Sequence, residues 1–323
     1  MTLNEIKAPV EGQIKAFETL FRDSIKSNIP LLNIIMRYIV KRKGKQMRPL
    51  FVFFSAGLFS EINDRTLRAA TLIEMLHTAT LIHDDVVDDS NERRGFFSLN
   101  ALWKNKISVL VGDFLLSRGL ILALENDDFD LLKIVSHSVR EMSEGELLQI
   151  EKARTLDIEE SVYFEIIRKK TASLIASCLA SGTAATGASA DTIEKMRQIG
   201  EKIGIAFQIK DDILDFDLSA DKGKPSGVDI KERKMTLPLI FILNKSSYFQ
   251  KRKIINIVKN HNTNREKVDW LMQEVVLGGG IEYAVEMMTR YRNEALEMLE
   301  QMPDRPARES LRQLIDFTIQ RKS

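Results

Sequence analysis

Two short runs of aspartate carry the chemistry open to this chain. Asp84-Asp85-Val86-Val87-Asp88 follows Leu81-Ile82-His83, and Asp211-Asp212-Ile213-Leu214-Asp215 follows Phe207-Gln208-Ile209-Lys210. Both close an apolar stretch of helical period, which brings positions i and i+4 onto one face. Asp84 then stands beside Asp88, and Asp211 beside Asp215. Carboxylates crowded on one face repel and destabilise a helix unless a cation holds them. Oxygen donors without cysteine favour a hard ion, Mg²⁺ above others, which keeps several waters and bridges carboxylates to a phosphorylated substrate. His83, next to the first run, is the one exception in sequence. A single acidic run at a helix end is ordinarily a solvated cap, but two runs of identical spacing are poorly explained that way.

Cationic clusters alternate with the acidic ones. Gly44-Lys45-Gln46-Met47-Arg48-Pro49 sets Lys45 and Arg48 three residues apart ahead of a helix. Arg93-Arg94-Gly95 follows the first acidic run after a short loop, and Lys224 and Lys234 flank a glycine-containing loop after the second. Arginine offers a planar fork to phosphate oxygens and lysine a mobile point charge, a mixture suited to diphosphate. Each basic pair alone reads as a solvated face; the alternation with aspartates is what points to a site.

Helices must position these groups. Helical period runs through Glu11 to Ser27, Leu31 to Val40, a helix opened by Pro49, and Thr66 to about Asp89, capped by Asn63 or Asp64. It continues at Ile107 to Glu125, Asp128 to Gln149, a helix begun by Asp157 and Glu160, Thr192 to Phe216, Thr236 to Asn244, Arg265 to Leu277, Ile281 to Gln301 and Pro306 to Arg321. Strand-like alternation is scarce, so the fold class is all-α. Thr171 to Ala190 has no charge over a membrane-spanning length, but it is mostly Ala, Ser, Thr and Gly, which fits a closely packed buried helix better than a span. The stretch Ser219 to Gly227 and the triplet Gly278-Gly279-Gly280 are too short for linkers, so residues 1–323 are expected to form a single helical bundle, with the two acidic helix ends facing each other across a central cavity.

Composition narrows the classes of function. The 47 Lys and Arg against 46 Asp and Glu leave a net charge of +1, so bulk electrostatics supply no nucleic-acid partner. Cys178, the single cysteine, cannot make an intrachain disulfide and suits a reducing compartment. Met1 to Gly12 lacks the apolar core of a secretory signal.

In order, GKQMRP at Gly44 to Pro49, LIHDDVVDDSNERRG at Leu81 to Gly95, Lys170-Thr171, FQIKDDILD at Phe207 to Asp215 and GKPSGVDIKERKMTLP at Gly223 to Pro238 resemble the motifs of the trans-isoprenyl diphosphate synthases, the polyprenyl synthetase family. The resemblance implies an isoprenoid-synthase bundle and a Mg²⁺-dependent prenyltransferase. Lys45, Arg48, His77 and Arg94 would hold the diphosphate of isopentenyl diphosphate. Arg93, Lys170, Lys224 and Lys234 would hold that of an allylic partner such as farnesyl diphosphate. Asp84, Asp88, Asp211 and Asp215 would ligate Mg²⁺, with Asp85 and Asp212 acting through water, and Thr171 and Gln208 would lie near the cationic end of the prenyl chain. The departing diphosphate itself would take the proton, so no protein base is required.

Short-chain members of the family tend to carry an aromatic floor one turn before the first motif. Here the positions are Ala79 and Thr80, with Leu76 and Ile73 deeper, so a long product of about six to nine isoprene units is expected by family analogy, octaprenyl diphosphate as the central value. Such products feed quinone side chains. The same resemblance suggests a cytoplasmic homodimer, with the apolar helix around Ile107 to Leu124 at its interface and a transient membrane contact for product release. Alternatives are a geranylgeranyl or farnesyl diphosphate synthase, or a non-catalytic subunit of a heteromeric synthase. A terpene cyclase would lack the second aspartate motif and the paired basic motifs.

Overall fold

Helical period in the sequence becomes helix throughout the computed structural model, which describes residues 2–41, 44–88, 92–93, 96–155, 159–216 and 227–320. The chain opens with α1 (Leu3–Lys7), α2 (Glu11–Ser24), α3 (Pro30–Lys41), α4 (Met47–Gly57) and α5 (Asp64–Val87). A two-residue antiparallel pair, β1 (Glu92–Arg93) with β2 (Phe96–Phe97), precedes α6 (Leu99–Leu124) and α7 (Phe129–Thr155). After α8 (Glu160–Ile167) comes a π-helical turn, Arg168–Ala172, then α9 (Ser173–Ala184) and α10 (Ala190–Asp215). The remainder is α11 (Val228–Lys231), α12 (Leu237–Lys245), α13 (Tyr248–Asn260), α14 (Arg265–Leu277), α15 (Gly280–Glu300) and α16 (Pro306–Gln320).

These residues divide into two compact units. The first comprises Met1–Val139, Ile175–Gln198 and Leu299–Phe317; the second comprises Arg140–Leu174, Ile199–Met298 and Thr318–Ser323. Every boundary falls inside a helix, in α7, α9, α10, α15 or α16, which is why no linker composition marks one in the sequence.

In the first unit α5 is the central element, flanked by α2, α4 and α6. It starts where Asn63 and Thr66 form a reciprocal capping box that satisfies two otherwise unpaired N–H groups. Arg65 and Arg68 then converge on the buried Asp128 carboxylate, at 3.0 and 2.6 Å, and fix the start of α5 to the α6–α7 connection. Phe51, Phe53, Leu72, Ile73, Met75 and Leu115 are fully buried around it. The expected small-residue helix is present as α9, and a Cβ on its Gly182 would stand 2.3 Å from the Val52 carbonyl oxygen, so glycine is what lets α4 and α9 touch.

In the second unit α12, α13 and α14 close around Leu239, Ile240, Ile257, Val258, Leu271 and Val275, and Tyr163, Ile205 and Ile209 belong to the same core. The sequence reading lacks α13. It also starts α6 eight residues late, because Lys104 has φ 70° and kinks a helix that Ser98 already caps. The helix α6 is long and apolar enough to cross a bilayer. Its inner face, Ser108, Val111, Gly112, Leu115, Gly119 and Ala123, is instead buried, packed along α5, and Arg118 donates to the Ser24 carbonyl at 2.5 Å. A span would strip those partners away.

Candidate active site

At the end of α5 the helical period sorts the first acidic run. Asp84 and Asp88 share one face, half-buried and exposed respectively, while Asp85 turns inward and is 5 % exposed. His83 turns away from them. Its Nε2 lies 3.3 Å from the Val109 carbonyl and 3.5 Å from Asp113 on α6, and a Cβ on Gly112 would sit 2.1 Å from that nitrogen. Gly112 thus makes the pocket that takes the imidazole out of the acidic face, leaving an oxygen-only donor set.

The first cationic motif sits on the other side of α5. Gln46 begins α4 in the left-handed region at φ 55° and donates to Glu18 at 2.8 Å. The helix starts at Met47, so Pro49 lies within its first turn, where its missing N–H costs no intrahelical bond. Arg48 makes a two-point pair with Glu74, 2.9 and 3.0 Å, which aligns the guanidinium while leaving other N–H donors. Lys45 is exposed, with Nζ 5.9 Å from the Phe317 ring centroid. His77 is buried, one turn before Thr80, whose hydroxyl donates to the His77 carbonyl at 2.9 Å. A cavity of about 430 Å³ is lined by Gly44, Gln46, Arg48, Glu74, Thr78 and Asp85 among others, with Phe17, Phe21 and Tyr38 forming its apolar wall.

In the second unit, Lys170 and Thr171 occupy the π-helical turn. Glycines on two neighbouring helices make room for it: a Cβ on Gly145 of α7 would be 2.8 Å from the Lys170 nitrogen, and one on Gly204 of α10 would be 2.4 Å from the Ala172 Cα. Such a bulge re-aims the side chains it carries and recurs at functional sites. Lys170 pairs with Glu146 and donates to Gln149 at 3.3 Å. Thr171 donates to the Gln208 amide oxygen at 2.8 Å, the Gln208 amide nitrogen donates to Asp212 at 3.0 Å, and the Tyr163 hydroxyl donates to the other Asp212 oxygen at 2.7 Å.

The second acidic run repeats the pattern of the first, with its middle aspartate, Asp212, buried at 3 % exposure. Burial, reinforced by Asp229, pushes its pKa up to about 7 against the pull of Tyr163 and Gln208. Asp211 and Asp215 share the outer face. The Asp215 carboxylate accepts the N–H groups of Val228 and Asp229 at 3.0 and 3.1 Å and so anchors the start of α11. Burial works against the charge of Lys234, yet Glu232 and Asp229 outweigh it and raise its pKa. Arg94 and Lys224 lie outside the described residues, as does the Arg93 side chain.

A model of the family described as Polyprenyl synthetase matches residues 29–275, a stretch that contains both acidic runs and every cationic motif named above. The chain belongs to the polyprenyl synthetase family. As a polyprenyl synthetase it is a prenyltransferase with an all-α isoprenoid-synthase fold. It is 36 % identical over 320 residues, 98 % of this chain and 97 % of the relative, to an all-trans-nonaprenyl-diphosphate synthase (geranyl-diphosphate specific) of Rhodobacter capsulatus. A solved decaprenyl diphosphate synthase from Rhodobacter capsulatus matches with TM-score 0.94 and 30 % identity over the whole of both chains. A polyprenyl synthase from Caulobacter crescentus CB15, solved with calcium and isoprenyl diphosphate, matches with TM-score 0.90 and 30 % identity over 100 % of this chain and 98 % of that one.

Among the described residues of this polyprenyl synthetase no three His, Cys, Asp or Glu side chains already gather as a metal cage. A Mg²⁺ ion does not need one, since it keeps waters and takes one or two carboxylates together with substrate phosphate. With His83 turned to α6 and Asp85 and Asp212 drawn inward, each run keeps its own outward oxygen donors, Asp84 and Asp88 in the first unit and Asp211 and Asp215 in the second, and the chemistry of each pair fits such an ion. Sequence reasoning missed Glu74, Glu146, Tyr163 and Asp229. Of these, Asp229 alone lies inside the quoted Gly223 to Pro238 motif; in the structure burial and Asp215 lift its pKa to about 6.

Proposed function

We propose that this prenyltransferase is a Mg²⁺-dependent trans-polyprenyl diphosphate synthase that repeatedly condenses isopentenyl diphosphate onto an allylic diphosphate such as farnesyl diphosphate. The observation that carries the reading is a single family match enclosing both aspartate pairs, the Lys-Thr turn and the Gln208 relay. Its product is a long chain of about six to nine isoprene units, by analogy with the long-chain synthases it resembles. Ala79 and Thr80 supply no aromatic floor above Asp84. We further place it in the cytoplasm as a homodimer that meets a membrane when product leaves.

Breaking the allylic carbon–oxygen bond leaves a carbocation and a diphosphate anion, so the demand is for charge stabilisation at the leaving group. Asp84 and Asp88 on the first run, and Asp211 and Asp215 on the second, would hold Mg²⁺, which when bound would supply Lewis acidity there; Asp215 also ties down the segment that carries Lys234. Lys170 and Lys234 neutralise the allylic diphosphate, and Glu146 and Gln149 keep Lys170 aimed. The Thr171 hydroxyl and Gln208 amide present dipoles to the cationic end of the chain. Lys45, Arg48 and His77 hold isopentenyl diphosphate, whose double bond attacks the cation, and the released diphosphate takes the proton lost from the new chain.

The test is incubation of purified protein with Mg²⁺, isopentenyl diphosphate and farnesyl diphosphate, followed by product chromatography. Chain extension is expected; cyclised product or none overturns the reading. Asp84→Ala is expected to lose at least about a hundredfold in turnover, the scale for losing a transition-state electrostatic contact, while its circular dichroism stays native. Wild-type turnover in that variant, or in excess chelator, would refute the metal assignment.

A further inference from the structure

The structure presents a second surface with its own chemistry on α13. Ser247 and Gln250 form a capping box that starts this helix abruptly, so Tyr248 and Phe249 occupy its first two positions. They stand 67 % and 83 % exposed, their rings 5.7 Å apart and inclined at 77°. Ile254, Ile257 and Val258 are buried, and the helix packs on α12 and α14 through that face. The helical period then sends Arg252, Lys253, Asn256 and Lys259 outward beside the two aromatics, and all four are exposed.

Charge on this surface is predominantly basic. Helix α13 contains no Asp or Glu, and from Lys245 to Lys267 the sequence has seven Lys and Arg against Glu266, with Arg265 paired to Asp269 one turn on at 3.8 Å, in a chain whose net charge is only +1. Three of the cations rest over aromatic rings: Lys245 4.1 Å from the Phe241 centroid, Arg252 5.8 Å from Tyr248, and Lys253 3.5 Å from Trp270. Exposed aromatics on a helix that carries cations and no carboxylate match the layering of an anionic bilayer surface, where rings settle at the headgroup level and lysine and arginine meet lipid phosphate.

We propose that the outer face of α13, with Tyr248 and Phe249 as the inserted pair and Arg252, Lys253 and Lys259 as the charged contact, docks this protein on an anionic lipid membrane. Two rings set at 77° cannot both lie parallel to successive stacked bases, whereas a headgroup layer imposes no mutual ring orientation, so the geometry favours lipid over single-stranded nucleic acid. The purpose of docking rests on the reading above, since a long prenyl diphosphate must leave for a bilayer. The binding itself does not.

The experiment is co-sedimentation of the full chain with extruded vesicles of phosphatidylcholine, with and without phosphatidylglycerol. Wild-type protein is expected to pellet with the anionic vesicles and to be released as salt shortens the range of the attraction. The pair Arg252→Glu with Lys259→Glu is expected to weaken partitioning by at least about tenfold, the scale for removing two cations from an anionic surface. Tyr248→Ser with Phe249→Ser should weaken it as well. All four positions are exposed, and each variant should keep the wild-type melting temperature and its rate of chain extension in detergent. Equal binding to neutral vesicles, variants that pellet like wild type, or binding to single-stranded DNA but not to vesicles would each overturn the proposal. Vesicle binding without chain extension would sink the enzymatic reading and leave the docking surface standing; chain extension without vesicle binding would do the reverse.

Discussion

Asp212 is the aspartate whose surroundings most limit what it can do. It is one residue from Asp211, yet the 100° step of the helix carries it into the core, where Tyr163 and Gln208 occupy both its oxygens. Burial together with Asp212 pushes the Tyr163 pKa far up, so the hydroxyl stays protonated and donates. By accepting from the Gln208 amide nitrogen, Asp212 leaves the amide oxygen to receive Thr171, so the buried hydrogen bond orients the one from Thr171. Tyr163→Phe strips one donor from a buried carboxylate, which should cost about 1–3 kcal/mol of unfolding free energy. A urea titration should show that loss, and turnover should fall with little change in the KM for isopentenyl diphosphate; a variant as stable and active as wild type would remove Tyr163 from the relay. The pairing of the aspartates was readable because it lies in a spacing of one helical turn, whereas Lys170, Thr171 and Gln208 were named only through the family resemblance. Tyr163 and the turn of His83 toward α6 were not readable, because they depend on contacts 49 and 26 residues away along the chain.

On α5, a single helix carries three different surfaces. Leu72, Leu76, Ala79 and His83 recur at heptad spacing and face α6, where a Cβ on Gly119 would meet Leu72 at 3.3 Å and Leu76 at 3.5 Å. Ile73, His77, Thr80 and Asp84 recur with the same spacing on the adjoining stripe, and Glu74, Thr78, Leu81 and Asp85 line the cavity beside Arg48. The four chain-length candidates therefore fall on two stripes, which a count of residues back from the motif does not reveal. Thr80 and Ile73 share the stripe of Asp84, the proposed metal ligand, so bulk at Thr80 should meet the growing chain first. Thr80→Phe is expected to shorten the product by more isoprene units than Ala79→Phe, whose ring must first be fitted into the α5–α6 seam at about 1–3 kcal/mol of stability. Chromatography of both products decides it, and unchanged lengths in both would end the idea of a tunnel along this helix. Glycine contacts are the other element-scale feature invisible in sequence: Gly145 and Gly204 make room for the Lys-Thr bulge, but neither sits in a recognisable turn. The helix α13 escaped notice for a related reason, because its apolar stripe is only Ile254, Ile257 and Val258 amid a basic run.

At the scale of the molecule, the described residues leave an apolar face of α6 uncovered. After the inner side of α6 is given to α5, Val109, Leu110, Leu120, Ile121 and Leu124 remain 37 to 56 % exposed along the other side. Two apolar patches of that kind, separated by the exposed Asp113 and Ser117, on a helix already half committed to a core match a protein interface better than a membrane span. A stable homodimer buries roughly 800 Å² per partner, and a helix about 26 residues long offers a large part of that from one face. The same face was legible in the sequence as apolar residues from Ile107 to Leu124, although periodicity alone could not say which side would stay open. The division into two compact units was not legible, because each boundary runs through an unbroken helix. Light scattering on the wild type is expected to give twice the chain mass. Replacing Leu110 and Leu124 by glutamate places charge only where the folded chain is 56 % and 50 % exposed, so that variant should keep its helicity and run at a single chain mass. A folded double variant that still runs as a dimer would move the interface away from α6.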